Sequence, residues 1–327
     1  MRGGNEMGKY FLRRLIDLLP TVFVVAVIVF IITRLIPGNP AAVMLGPTAS
    51  VEDVEKLTEQ LGLNEPLYQQ FFTYIGGLLQ GDFGTSLSYN QPVTELIMER
   101  FPNTLVLAVA ALIIALVIGI PAGMISASRH NSFLDYTVML ISLIGVSMPI
   151  FWLGVMLVLY FSVGLGWFPA TGMGTLSEGL IPYLKHLALP AITLATIPMA
   201  TFARITRSSM LEVLSQEYIK TARAKGIGEF WVISKHAFKN SLTPILTVLG
   251  MQISMLLGGA VLTETIFSWP GMGRLIVDAI DKRDFVVVQG TVLFIAILFV
   301  VVNLIVDMLY KVVNPRVNYL SKKGGSK

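Results

Sequence analysis

Residues 105–127 read LVLAVAALIIALVIGIPAGMISA, a run without a single charged side chain. A helix needs about 20 predominantly apolar residues to cross the roughly 30 Å hydrocarbon core of a bilayer. This run is long enough to do so. It predicts that the chain folds within a membrane.

The composition of the whole chain agrees with that prediction. Of its 327 residues, 54% are hydrophobic and only 13% are charged, whereas a soluble domain carries about 25% charged residues. So few charges cannot cover a soluble protein of this size. We therefore expect an all-α polytopic membrane protein in contact with lipid. The net charge of +4 fits basic residues gathered on the cytoplasmic side better than a nucleic-acid partner.

Five further apolar segments resemble the opening one in length. The six predicted transmembrane helices cover about residues 15–36, 105–127, 136–164, 187–206, 245–263 and 285–313. Proline lacks a backbone N–H and interrupts helical hydrogen bonding. We therefore expect kinks at Pro149 in the third span and at Pro190 and Pro198 in the fourth.

The distribution of charge predicts the orientation. Basic residues gather in segments 1–14, 207–244 and 314–327, whereas segment 37–104 carries eight acidic and two basic residues. Because basic residues mark the cytoplasmic side, both termini should be cytoplasmic. The predicted order is a cytoplasmic tail (1–14), a first membrane helix (15–36), an extracytoplasmic loop (37–104), a five-helix core (105–313) that includes a cytoplasmic loop (207–244), and a cytoplasmic tail (314–327).

The extracytoplasmic loop carries its own helical signals. Ser50 followed by Asp53 is a capping box, which predicts a helix over 51–61. Apolar periodicity predicts a second helix over 66–79, and the glycines of 81–86 predict a tight turn.

The chain lacks several residue patterns on which membrane enzymes and ion-driven transporters depend. It has no cysteine, no phosphate-binding Gly-x-x-x-x-Gly-Lys loop and no His-Glu-x-x-His motif. Acidic residues are missing from the centres of the predicted spans. Glu264, at the outer end of the fifth span, is the best polar candidate, although the favoured interpretation is an interfacial residue that pairs with the outer loop. We expect no catalysis and no resident cofactor or metal, and the energy for transport must come from elsewhere.

Residues 217–226, EYIKTARAKG, form a polar basic island between long apolar runs. As a helix, this segment would place Tyr218, Ala222 and Gly226 on one line, a small-residue face that another protein could approach closely. An ordinary basic helix lying on the membrane surface is the alternative. Physical reasoning from these residues leaves both readings open.

The same segment resembles the EAA loop of ABC-importer permeases. Within that family the chain is similar to the dipeptide/oligopeptide/nickel branch, and to its first permease subunit type. The supporting motifs are IPGNP at 36–40, GDFGTS at 81–86, RSSML at 207–211, ETIFSWPGMG at 264–273, and His236-Ala237, Asn240 and Pro244 after the island. Tyr218 stands where the general motif has alanine, a departure usual in this branch.

The resemblance implies a type I ABC-importer permease fold in a bacterial or archaeal cytoplasmic (inner) membrane. It also implies a second homologous permease subunit, one or two ABC ATPase subunits that hold the ATP and Mg, and an extracytoplasmic substrate-binding protein. The implied ATPase-coupling residues are Glu217, Tyr218, Ala222, Ala224 and Gly226; the outer-loop or gate candidates are Asp82, Glu264, Pro270 and Gly271.

The implied function is to form half of the translocation pathway of an ATP-driven, binding-protein-dependent importer. Di- or oligopeptides are the expected substrates. Nickel chelates, glutathione and oligosaccharides are alternatives within the same class. A stand-alone secondary transporter or channel is the alternative from a different class.

Overall fold

The computed structural model describes residues 3–35, 40–46, 48–86 and 88–313. The predicted cytoplasmic tail 314–327 and most of the IPGNP motif lie outside the described residues. The described α-helices are α1 (Gly3–Leu35), α2 (Pro40–Leu45), α3 (Val51–Gln60), α4 (Leu67–Leu79), α5 (Val93–Ser128), α6 (Phe133–Ser147), α7 (Ile150–Leu157), α8 (Leu180–Leu214), α9 (Glu217–Ala224), α10 (Glu229–Trp231), α11 (Phe238–Ile266), α12 (Met272–Asp281) and α13 (Phe285–Val313).

Shorter elements complete the description. Two π-helical turns, π1 (Val158–Gly164) and π2 (Val232–Ala237), follow α7 and α10, and a 3-10 turn covers Leu176–Glu178. Strands β1 (Thr85–Ser86) and β2 (Gln91–Pro92) pair antiparallel, with Thr85 opposite Pro92. The fold is therefore helical, as predicted, with one small hairpin added in the loop after α4.

Four helical runs are long and apolar enough to cross a membrane: Val93–Ser128, Leu180–Leu214, Glu229–Gly258 and Phe285–Val306. A shorter apolar stretch, Leu19–Arg34, lies within α1. These helices extend beyond the predicted spans, because helical hydrogen bonding continues where the apolar sequence stops. In particular, α1 already begins at Gly3, so most of the predicted N-terminal tail is helical.

The third predicted span is broken at its proline. Helix α6 ends at Ser147, α7 begins at Ile150 after Pro149, and the two stretches Phe133–Ser147 and Ile150–Gly164 are bent by 103°. Met148 has an extended backbone (φ −73°, ψ 130°), because the proline ring disfavours helical geometry in the residue before it. The chain thus bends at Pro149 far more sharply than a kink.

The fourth span behaves differently. Helix α8 runs from Leu180 to Leu214 with Pro190 and Pro198 inside it. Both prolines are buried. They do not end the helix, and a kink at either one stays a prediction.

The described residues form two compact units. The first comprises Met1–Val106 and Ala260–Val301. In it, the Phe71 ring of α4 packs edge-on against Phe30 of α1 at 5.2 Å between centroids, and the Arg34 guanidinium lies 4.0 Å from the centre of the Phe30 ring. A separate core joins the start of α5 to α12 and α13 through Leu96, Ile97, Met272, Leu275 and Val287.

The second unit comprises Leu107–Gly259 and Val302–Lys327. Here α5 packs closely on α8 because two glycines on α5 leave room for the backbone of α8. A Cβ atom on Gly119 would lie 2.5 Å from the Met199 carbonyl oxygen, and one on Gly123 would lie 2.5 Å from that of Ala203. Small residues allow such close approach between helices in membranes.

Candidate functional site

The basic island folds as the short helix α9, held at its C-terminal end by a Schellman motif. The Gly226 N–H donates to the Arg223 carbonyl (2.9 Å), and the Ile227 N–H donates to the Ala222 carbonyl (3.3 Å). Gly226 has φ +77°, a left-handed conformation that glycine adopts without steric cost. The sequence prediction that Gly226 ends this helix and turns the chain agrees with this geometry.

One face of α9 is buried in the chain's own core. Ile219 is fully buried and Ala222 is 7% exposed, and both pack in a cluster with Ala127, Met210, Val232 and Ala237. Ala222 therefore faces the chain's own core, and its role in seating a partner stays a prediction. Its small side chain lets α9 lie close to α5, α8 and π2.

The opposite face of α9 is open to solvent. Glu217, Lys220, Ala224 and Lys225 are exposed. Lys220 Nζ lies 2.7 Å from Glu217 Oε1, an exposed ion pair of the kind worth about 0–1 kcal/mol. This pair is weak enough to exchange for contacts with a partner. Tyr218 lies at the edge of the face, 43% exposed.

Arg223 is engaged within the chain. Its Nη2 donates to Glu229 Oε1 at 2.6 Å and its Nε to Oε2 at 3.1 Å. The hydrogen bond to Glu229 raises the pKa of the Arg223 guanidinium above its ordinary value. The pair closes the turn between α9 and α10, so Arg223 is less available to outside groups than the sequence suggests.

A buried ion pair lies beside this core, and the sequence did not reveal it. Asp135, at the start of α6, is 1% exposed and accepts hydrogen bonds from Arg207 Nε (2.6 Å) and Nη2 (2.8 Å). Ser126 also donates to this carboxylate, and His130 Nδ1 lies 3.2 Å from it. The end of α8, which leads into α9, is thereby attached to the end of α5 and the start of α6.

Three of the outer-loop candidates come together in the first unit. Glu264 is fully buried and accepts hydrogen bonds from the Thr104 hydroxyl (2.6 Å) and from the backbone N–H groups of Gly273 (2.7 Å) and Arg274 (3.2 Å). Its carboxylate therefore caps the N-terminal end of α12. A Cβ atom on Gly271 would lie 2.2 Å from Glu264 Oε1, and the Pro270 carbonyl accepts from Asn103.

The fourth candidate, Asp82, belongs to a different feature. Its Oδ1 accepts from the Gly84 N–H at 2.8 Å, which closes the tight turn predicted at 81–86. A second acidic residue that the sequence analysis missed, Asp284, accepts from the Ser86 hydroxyl (2.6 Å) and the Ser88 N–H (3.1 Å). Asp284 thus ties the hairpin to the start of α13.

Within the described residues, no group of three or more His, Asp or Glu side chains is arranged to hold a metal ion. Among the described residues, α9 combines an exposed polar face with a rigid support.

Comparison with known proteins agrees with this architecture. The family described as "Binding-protein-dependent transport system inner membrane component" matches residues 119–319, and a model of the N-terminal part of such a membrane component matches residues 7–108. A chain from the MetNI methionine ABC transporter, in inward-facing conformations, shares the fold with TM-score 0.53 and 19% identity, over 67% of this chain and 96% of that one.

Three curated relatives each align along their whole length with 96% of this chain. The dipeptide transport system permease protein DppB of Alkalihalophilus pseudofirmus is 48% identical, the oligopeptide transport system permease protein AppB of Bacillus subtilis 44%, and the glutathione transport system permease protein GsiC of Escherichia coli K12 42%. The chain therefore belongs to the family of binding-protein-dependent transport system inner membrane components, and it is a multi-pass permease subunit of an ABC importer.

Proposed function

We propose that the exposed face of α9 is the surface on which a cytoplasmic ABC ATPase of the importer sits. The observation that carries this proposal is that one face of the helix is buried and the other is exposed. Ile219 and Ala222 fix one face to the permease core, while Glu217, Lys220 and Ala224 leave the other face polar and open. The eight residues of α9 span about 12 Å, enough to fill a cleft on a partner.

The energy for transport is supplied by the ATPases. The chain has no phosphate-binding loop of its own, so ATP and Mg are held by those partner subunits. A second, homologous permease subunit completes the pathway, and an extracytoplasmic binding protein delivers the substrate. The family's dependence on binding proteins supports this last partner.

The importer carries di- or oligopeptides. Two of the relatives are a dipeptide and an oligopeptide permease, at 48% and 44% identity. Glutathione is the second candidate, supported by the 42% identical glutathione permease. The two candidates are chemically close, because glutathione is a modified tripeptide.

Coupling follows from the rigidity of the core beneath α9. When the ATPases close on ATP, they displace α9, and the buried contacts of Ile219 and Ala222 with Met210 of α8 prevent the helix from moving alone. Closely packed interiors transmit such displacements because they resist compression. The movement therefore reaches the spanning helices.

Reconstitution in lipid vesicles tests this function. The complex would contain both permeases and the ATPases, with the binding protein and a labelled dipeptide on the extracytoplasmic side. We expect uptake that needs hydrolysable ATP and is blocked by vanadate. Equal uptake by this chain without ATPases or ATP would instead establish a secondary transporter or a channel. Competition by unlabelled dipeptide, pentapeptide and glutathione ranks the substrates.

A further inference from the structure

A hydrogen-bonded contact connects α9 directly to the beginning of α11. Asn240 Nδ2 donates to Tyr218 Oη at 2.9 Å and to the His236 carbonyl at 2.8 Å, and Tyr218 Oη donates to the same carbonyl at 3.4 Å. The two side chains are 22 residues apart in sequence. They are therefore brought together by the fold of the cytoplasmic loop.

The covalent route between the same two helices is less direct. From α9 the chain passes the turn at Gly226–Gly228, then α10, then the π-helical turn π2 before α11 begins at Phe238. π-Helical turns are rare and often occur at functional sites. Since α10, π2 and α11 form one continuous helical run, Glu229–Gly258, the break along the chain between α9 and α11 is the turn at Gly226–Gly228, and a displacement of α9 that had to pass along the chain could be absorbed there.

Side-chain packing also joins the two helices, because Phe238 at the start of α11 packs against the cluster that contains Ile219 and Ala222, so the Tyr218–Asn240 contact is a second, polar link. A cavity of about 570 Å³ opens beside it, lined by Ser209, Glu212, Gln216, Tyr218, Asn240 and Pro244 among others. Ile219 and Ala222 face the core formed with α5, α8 and π2 and not this cavity. The Tyr218–Asn240 pair thus bridges α9 and α11 at the edge of this cavity, beside the apolar packing.

We propose that Tyr218 is a positioning residue that transmits the displacement of α9 to α11 through its hydroxyl bond with Asn240. This inference rests on the proposed function, in which the ATPases move α9. It gives Tyr218 a role inside the permease, distinct from the contact with the ATPase that its place in the motif implies. The aromatic residue reaches Asn240 with its hydroxyl, which an alanine at this position could not do.

Conservative substitutions test the proposal in the reconstituted importer. Tyr218→Phe keeps the ring and removes the hydroxyl, and Asn240→Ala removes the donor. Because a hydrogen bond contributes about 1 kcal/mol, we expect each change to lower the peptide taken up per ATP hydrolysed by about fivefold. The double variant should lose less than the sum of the two single losses, because both changes remove the Tyr218–Asn240 bond, although each also removes its own bond to the His236 carbonyl.

A matched control is available nearby. Ser234 bonds only to the Phe230 carbonyl one turn earlier, so Ser234→Ala should leave the uptake per ATP unchanged. The ATPases should copurify with Tyr218→Phe as they do with the wild type. Their loss, additive effects of the two substitutions, or a wild-type ratio in both variants would overturn the inference. If the wild-type complex itself takes up peptide without ATP, it is the proposed function that fails.

Discussion

The Asp135 carboxylate and the Arg207 guanidinium, 72 residues apart in sequence, form a two-point ion pair with N–O distances of 2.6 and 2.8 Å. Arg207 lies near the end of α8, and α9 begins ten residues later. The pair thus attaches the end of α8, which leads into the proposed ATPase-docking helix α9, to the first turn of α6.

Asp135→Asn should destabilise the permease markedly. Removing one partner leaves the charge of Arg207 without its counter-charge, which costs on the order of 3 kcal/mol in the free energy of unfolding. Thermal unfolding in detergent measures the change. Asp278→Asn is the matched control, because its pairing with Arg274 is long (3.8 Å) and partly exposed, so that it should cost less than about 1 kcal/mol. Equal effects of the two substitutions would show that the Asp135 pair is not a structural anchor.

Gly226→Ala should weaken coupling while Gly228→Ala is tolerated. Both positions have open space for a Cβ atom, but Gly226 has φ +77° and Gly228 has φ −58°. A side chain at the first position costs about 1 kcal/mol in backbone strain and loosens the end of α9. Peptide uptake per ATP hydrolysed is the measurement. The same loss in both variants would rule out backbone conformation as the reason.

Gly271→Ala should destabilise the cluster in which Glu264 accepts hydrogen bonds from Thr104 and Gly273 at the N-terminal end of α12. Its Cβ would lie 2.2–2.4 Å from the buried Glu264 carboxylate, which must then move away from the N-terminal end of α12. We expect a loss of about 1–3 kcal/mol in the free energy of unfolding. Gly76→Ala in α4 meets nothing within 4 Å and should be neutral or slightly stabilising. A neutral Gly271→Ala would mean that Glu264 does not hold this position.

Labelling from outside intact cells tests the orientation. The chain has no cysteine, so each introduced thiol is the only one in it. An impermeant maleimide should react with Glu59→Cys in the outer loop and not with Lys225→Cys beside α9, although both positions are exposed. The reverse pattern would invert the topology.

The sequence predicted what depends on local pattern. The apolar runs predicted the four long apolar helices, Ser50 and Asp53 predicted the cap of α3, and Gly226 predicted the end of α9, because these features depend on hydrophobic period or on backbone conformation. The angle at Pro149 was not predictable in the same way. A proline removes a hydrogen bond, but the packing around it decides how far the chain turns.

Contacts between distant residues escaped the sequence analysis for a related reason. Asp135 and Arg207 read as separate charges near span ends, and only the packing of α6 against α8 brings them together. The same holds for the buried face of α9. The helical period predicted that Ala222 lies in line with Tyr218 and Gly226. Which side of α9 faces the core, however, depends on where the side chain of Ile219 finds apolar neighbours.

Site-specific photo-cross-linking tests the central claim most directly. A photoreactive residue replaces exposed Ala224 on α9, and the control carries it at exposed Leu67 of α4, in the predicted outer loop. The account predicts that, in the assembled complex, position 224 forms a covalent adduct with an ATPase subunit and position 67 does not. Adducts from position 224 that contain only lipid, together with ATPase adducts from other parts of the chain, would contradict it.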